Sequence, residues 1–78
     1  MGEVVMMPVQ SSNIRAIGYD SDKRELHVEF KSGGRYIYEE VDEIVHASAM
    51  AADSVGGFLH KNVVKGPYKF RKVERGGQ

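Results

Sequence analysis

The chain has 78 residues, 41% hydrophobic and 28% charged, with no cysteine and no tryptophan. That length fits one small domain with a thin core and leaves little room for a deep, dry catalytic cavity. The lack of cysteine excludes a disulfide scaffold, thiolate metal ligation and a cysteine nucleophile, and fits a protein of the reducing cytoplasm. Eleven basic residues cancel eleven acidic ones, but not locally. Residues 1–60 hold five Lys and Arg against ten Asp and Glu, a net of −5. Residues 61–78 hold six against one, a net of +5, and such asymmetry points to an anionic partner.

The first ten residues begin briefly apolar, but the start is acidic and Pro8 with Gln10-Ser11-Ser12 cuts the run off, so they read as a tail and not a signal peptide. No run is long enough to span a membrane. Residues 14–19, Ile-Arg-Ala-Ile-Gly-Tyr, read as a first strand, closed by turn residues Asp20 to Arg24. Residues 25–31 alternate strictly: Leu26, Val28 and Phe30 on one face, Glu25, His27, Glu29 and Lys31 on the other. This is the pattern of an antiparallel strand with one wet face. Ser32-Gly33-Gly34 supplies a reversal, and Arg35–Glu40 a third strand rich in aromatics.

Register follows from burial. A three-residue loop at Ser32, Gly33 and Gly34 pairs Phe30 with Tyr36 and Val28 with Tyr38, and puts both tyrosines on the core face. A two-residue loop turns them outward and buries Arg35 or Glu39. A four-residue first loop places Ile17 and Tyr19 inward, opposite Val28 and Leu26. The outer face then carries Glu29, Lys31, Arg35, Glu39 and one exposed apolar residue, Ile37.

After Glu40 the period changes. Residues 41–52 have a Val41, Val45, Ala49, Ala52 stripe broadened by Ile44 and Ser48, with acids in the first turn, and predict a helix across the meander. Asp53-Ser54 caps a second helix through about Val63, ended by Gly66-Pro67. Tyr68 to Val73 alternates as an edge strand or an extended tail, and residues 74–78 read as a disordered tail. The fold class is therefore α+β: a three-stranded antiparallel meander and two helices packed on one face, with a short C-terminal strand as the open alternative.

No catalytic constellation stands out. His27, His46 and His60 lie on different elements without metal-ligand spacing, and His27 falls on the wet face. No serine sits in a nucleophile elbow, and Glu39 and Glu40 point to opposite sides of a strand. Neither an enzyme nor a metal or organic cofactor is expected. The sharper signal is Lys61, Lys65, Lys69, Arg71 and Lys72, with Phe58, Tyr68 and Phe70 interleaved. Cations neutralise phosphates and aromatic faces stack bases, so these five cations with Tyr68 form the candidate RNA-binding set. The competing reading packs Tyr68 and Phe70 against the helices and makes the domain a protein-interaction or homodimerisation module with open edge strands.

Ile17-Gly18-Tyr19-Asp20, then Leu26, Val28 and Phe30, Ser32-Gly33-Gly34, Tyr36-x-Tyr38, Val41-x-x-x-Val45 and Ser54-x-Gly56-x-Phe58 follow one another in an order that resembles the KTSC domain. This module takes its name from the C-terminus of some lysyl-tRNA synthetases and also stands alone in bacteria. The resemblance covers residues 11–73 as one domain. It implies the α+β fold and, by the company the family keeps, an association with RNA. Asp42, His46 and Ala49 depart from the family's usual proline, aromatic and larger aliphatic residue, which bears on packing.

Overall fold

The structure is a computed structural model and describes residues 4–73. Five strands form one antiparallel sheet in sequence order: β1 (Met7–Pro8), β2 (Ile14–Asp20), β3 (Glu25–Phe30), β4 (Arg35–Tyr38) and β5 (Phe70–Val73). Between β4 and β5 the chain forms α1 (Glu43–Ala51) and α2 (Val55–Leu59), and α2 runs on into a π-helical turn, His60–Val64. The α+β meander and its helices stand as the alternation predicts, and the C-terminal strand is present. Residues 74–78, the expected tail, lie outside the described residues.

The β2–β3 hairpin has the expected register, Ile17 opposite Val28 and Tyr19 opposite Leu26. Asp20 holds its turn, its Oδ1 accepting from the backbone N–H of Asp22 at 3.0 Å and of Lys23 at 3.2 Å. At the β3–β4 turn the loop is three residues long but begins one residue earlier than expected, at Lys31. Phe30 N–H donates to Gly34 O at 2.8 Å and Gly33 N–H to Phe30 O at 2.9 Å. Gly33, at φ +110, is the residue that needs glycine's freedom. Val28 thus pairs with Tyr36 and Leu26 with Tyr38, two positions from the expected register. Because a two-residue shift preserves parity, Tyr36 and Tyr38 still face inward.

The core lies between this inner face and the helices. Ile14, Ile17, Leu26, Val28 and Tyr38 meet Val41, Ala49, Leu59 and Val63, all buried. Helix α1 starts two residues later than its stripe suggests, and Ile44 is 65% exposed, so it does not widen the contact face. Helix α2 has the expected cap: Ser54 Oγ accepts from Gly57 N–H at 3.1 Å.

The outer face is drier than expected. Ile37 is only 7% exposed and His27 only 9%. Two elements account for this. Strand β1 pairs with β2, and residues 4–6 run over Gly18, the cross-strand partner of His27. Strand β5 lays Arg71 beside Ile37, where its guanidinium bridges Glu25 at 3.3 Å and Glu39 at 3.0 Å. His27 is therefore a buried imidazole with no hydrogen-bond partner, its nearest carboxylate oxygen on Glu25 at 3.8 Å. Among the described residues no helix is long and apolar enough to cross a membrane.

Candidate nucleic-acid interface

Strand β5 decides where the C-terminal cations go. It pairs Phe70 with Tyr38, Arg71 with Ile37 and Lys72 with Tyr36. Side chains alternate along a strand, so Phe70 and Lys72 share the inner face with the tyrosines while Arg71 goes to the outer one. The six residues singled out in the sequence consequently do not form one strip. Arg71 is spent on Glu25 and Glu39. Lys69 borders a notch with Glu39, Glu40 and Tyr68, and its carbonyl accepts from Glu39 N–H at 2.8 Å. Tyr68 is half-buried against the core and is not an outward stacking ring. Lys61 and Lys65 are exposed on and just after the π-helical turn. Lys72 alone stands on the aromatic face.

That face carries a site the sequence reading assigned to the core. The helices cover β2, β3 and part of β4, and β5 extends the sheet beyond them, so Phe70 packs on rings from one side and stays 55% exposed. Its ring centroid lies 5.6 Å from Tyr36 and 5.5 Å from Tyr38, both tilted. Phe30 meets Tyr36 edge-on at 5.4 Å, and Tyr36 and Tyr38 stack at 6.5 Å. These four rings, with Ser32 and Val64, line an open cleft of about 340 Å³. Burial raises the Tyr38 hydroxyl above the ordinary tyrosine pKa, with Tyr36 adding to the shift, so that phenol keeps its proton at neutral pH. Aromatic pairs favour edge-to-face and offset arrangements of this kind.

The cleft continues past Phe30 and Val64 along the π-helical turn, in a stretch of about 440 Å³ that Lys31 and His60 also line. Lys65 N–H donates to His60 O at 3.1 Å, the five-residue step that defines this turn. Lys31 is thus the lysine that lines the groove, and Lys72 stands on the same face of β5 as the rings. The signal for this division was present as the period of two in residues 68–73, which separates Phe70 and Lys72 from Lys69 and Arg71.

The histidines occupy three separate environments. His27 lies under the outer face, His60 lines the groove, and His46 stacks on Tyr19 at 5.3 Å. Burial lowers the pKa of both His27 and His46. Among the described residues no group of three or more His, Asp or Glu side chains is placed to hold a metal ion.

The model of the KTSC domain matches residues 10–74. An uncharacterized protein of Stutzerimonas stutzeri is 43% identical over 63 residues, 81% of this chain and 86% of that one. A protein of Tsukamurella paurometabola is 41% identical over 68 residues, 87% of this chain and 97% of its own. The crystal structure of a KTSC domain protein from Yersinia pestis superposes with a TM-score of 0.84 at 40% identity, covering 92% of this chain and all of the other.

Proposed function

The chain belongs to the KTSC domain family, and from that premise we propose that it is a small non-catalytic cytoplasmic module that holds single-stranded RNA in its aromatic groove. The observation that carries this reading is Phe70, half-exposed against Tyr36 and Tyr38 with Lys72 next to it on the same face. An exposed ring pre-set beside other rings offers a base a stacking surface, and one lysine along the strand reaches a phosphate. A-form duplex presents its bases stacked and paired, so the ligand is an unpaired strand or loop. The overall neutral charge favours weak, salt-sensitive binding over tight non-specific binding.

The test is a fluorescence-anisotropy titration of a labelled single-stranded RNA at low salt. Binding in the micromolar range, lost in Phe70→Ala, supports the reading. Each stacked base contributes about 1–3 kcal/mol, so Phe70→Ala weakens affinity by roughly 5- to 150-fold. No binding by the wild type at tens of micromolar refutes it. A second reading, a protein-docking edge, draws on the position of β5 at the end of the sheet with Phe70 exposed. Concentration-dependent self-association in sedimentation, together with RNA silence, favours that one.

A further inference from the structure

Beyond Phe30 and Val64 the groove opens into a second cleft of about 340 Å³ with a different chemistry, lined by Ser11, Asn13, Ser54 and His60. No Asp or Glu lines it. The loop that forms one wall is held on both sides. Val9 N–H donates to Arg15 O at 3.1 Å, and Lys31 N–H to Asn13 O at 2.8 Å. The opposite wall is α2, which comes so close that a Cβ on Gly56 collides with the Ser11 hydroxyl.

The hydrogen-bonding capacity left over is biased toward donation. Ser11 Oγ accepts from Asn13 N–H at 3.2 Å and Ile14 N–H at 3.1 Å, which occupies both lone pairs and leaves its proton to give. Ser54 Oγ accepts from Gly57 N–H and likewise keeps a proton to donate. The exposed Asn13 amide adds two more donors and one acceptor. A donor-rich cleft without carboxylates, separated from a ring-stacking floor by Phe30 and Val64, matches a planar ring with carbonyl oxygens on its edge.

We propose that this cleft is a base-reading subsite that takes one uracil, with its two carbonyl oxygens, of the strand whose neighbours stack on Tyr36 and Phe70. The proposal rests on the RNA-binding reading above and adds base selectivity to it. Adenine offers on its Watson–Crick edge one ring-nitrogen acceptor beside an amino donor, against the two carbonyl acceptors of uracil, so it meets fewer of the donors in the cleft. Its larger ring stacks at least as well on the aromatic floor, so a preference for uracil runs against stacking and belongs to the cleft.

The experiment compares labelled oligouridylate and oligoadenylate of equal length on the wild-type chain and on Asn13→Ala and His60→Ala, both at exposed positions that leave the core intact. One or two hydrogen bonds gained only by uracil give a preference of about tenfold. Each variant brings that ratio toward unity by weakening oligouridylate more than oligoadenylate. Equal affinities in the wild type, a preference for oligoadenylate, or a uridine preference unchanged in both variants overturns the subsite. If neither oligonucleotide binds the wild type, the RNA-binding reading fails and takes the subsite with it. Binding without discrimination sinks the subsite alone.

Discussion

Replacing Arg71 and Lys72 one at a time tests the central structural argument, because the two neighbours fall on opposite faces of β5. Glutamine keeps the length of either side chain and removes the charge. For a single strand, each phosphate neutralised contributes about 0.7 to the slope of log K against log salt. Lys72→Gln removes one such contact and flattens the slope by that amount. Between 50 and 200 mM salt the wild type therefore loses about 2.6-fold more affinity than Lys72→Gln does. Arg71→Gln leaves the slope unchanged, since the guanidinium already faces Glu25 and Glu39. Its effect falls on folding: it frees two carboxylates beside each other and lowers the thermal midpoint slightly. A uniform drop in affinity without a change of slope reports a loss that is not electrostatic, since an effect of charge is screened over about 10 Å at 0.1 M salt and so varies with salt. Anisotropy titrations across that range, with thermal melts as the control, separate the two. Equal loss of slope in both variants, or an unaltered slope in Lys72→Gln, refutes the division of cations by strand alternation.

Three further outcomes follow from the framework around the groove. Gly18→Ala places a Cβ 2.7 Å from Val4 Cγ1 and Val5 O and 2.8 Å from Met6 Sδ, so residues 4–6 lift away. Overpacking of this kind costs about 1–3 kcal/mol, seen as a lower urea midpoint and faster amide exchange at the N-terminus; unchanged exchange there contradicts the close seat of that segment. Burial lowers the pKa of His27 and His46, so the unfolded chain takes up protons first. Stability is lost as pH falls below the unfolded histidine value of about 6.5 and goes on falling until the folded pKa values are reached. His27→Leu removes part of that loss and melts above the wild type in mild acid; an identical pH profile counts against the buried, unpartnered imidazole. Ser54→Ala deletes the cap of α2 and lowers stability by about 1 kcal/mol in equilibrium unfolding, whereas no change means that Gly57 N–H finds another partner.

Much of the fold was legible because one face of the sheet is buried. Leu26, Val28 and Phe30 demand a single orientation, and burial carries that demand across to Ile17, Tyr19, Tyr36 and Tyr38. The absolute register of the second hairpin was less legible, since Gly33 and Gly34 are equivalent in sequence and only the first adopts positive φ. Strand β1 has two exposed residues and no alternation, so nothing marks it as paired. The dryness of His27 and Ile37 is also invisible to a period-two reading, which takes the face away from the helices to be wet. It arises from two distant segments, residues 4–6 and β5, that meet that face only in the folded chain. The site was half legible. Its cations and rings were identified as types, and the face of β5 on which each stands required its partner β4.

Strand alternation also explains why a chain with no net charge can still present a cationic aromatic groove. Ten of its eleven acids precede residue 61, and those that β5 reaches, Glu25 and Glu39, stand on the outer face with Arg71. A strand that carried Arg71 and Lys72 in the opposite parity would put Arg71 among the tyrosines and give Lys72 to the glutamates, along with the exposed Phe70. The sequence order Phe-Arg-Lys thus sorts one cation into structure and one toward a ligand. The same small size that leaves the core thin leaves β5 uncovered by any helix, because two short helices cannot span five strands. The groove is the part of the inner face that the helices do not reach, and its openness fits a ligand that lies along it better than one that is enclosed. Burial of Phe70 under a longer helix would stabilise the domain and abolish the groove, so the exposure of that ring is where stability and the proposed binding oppose each other.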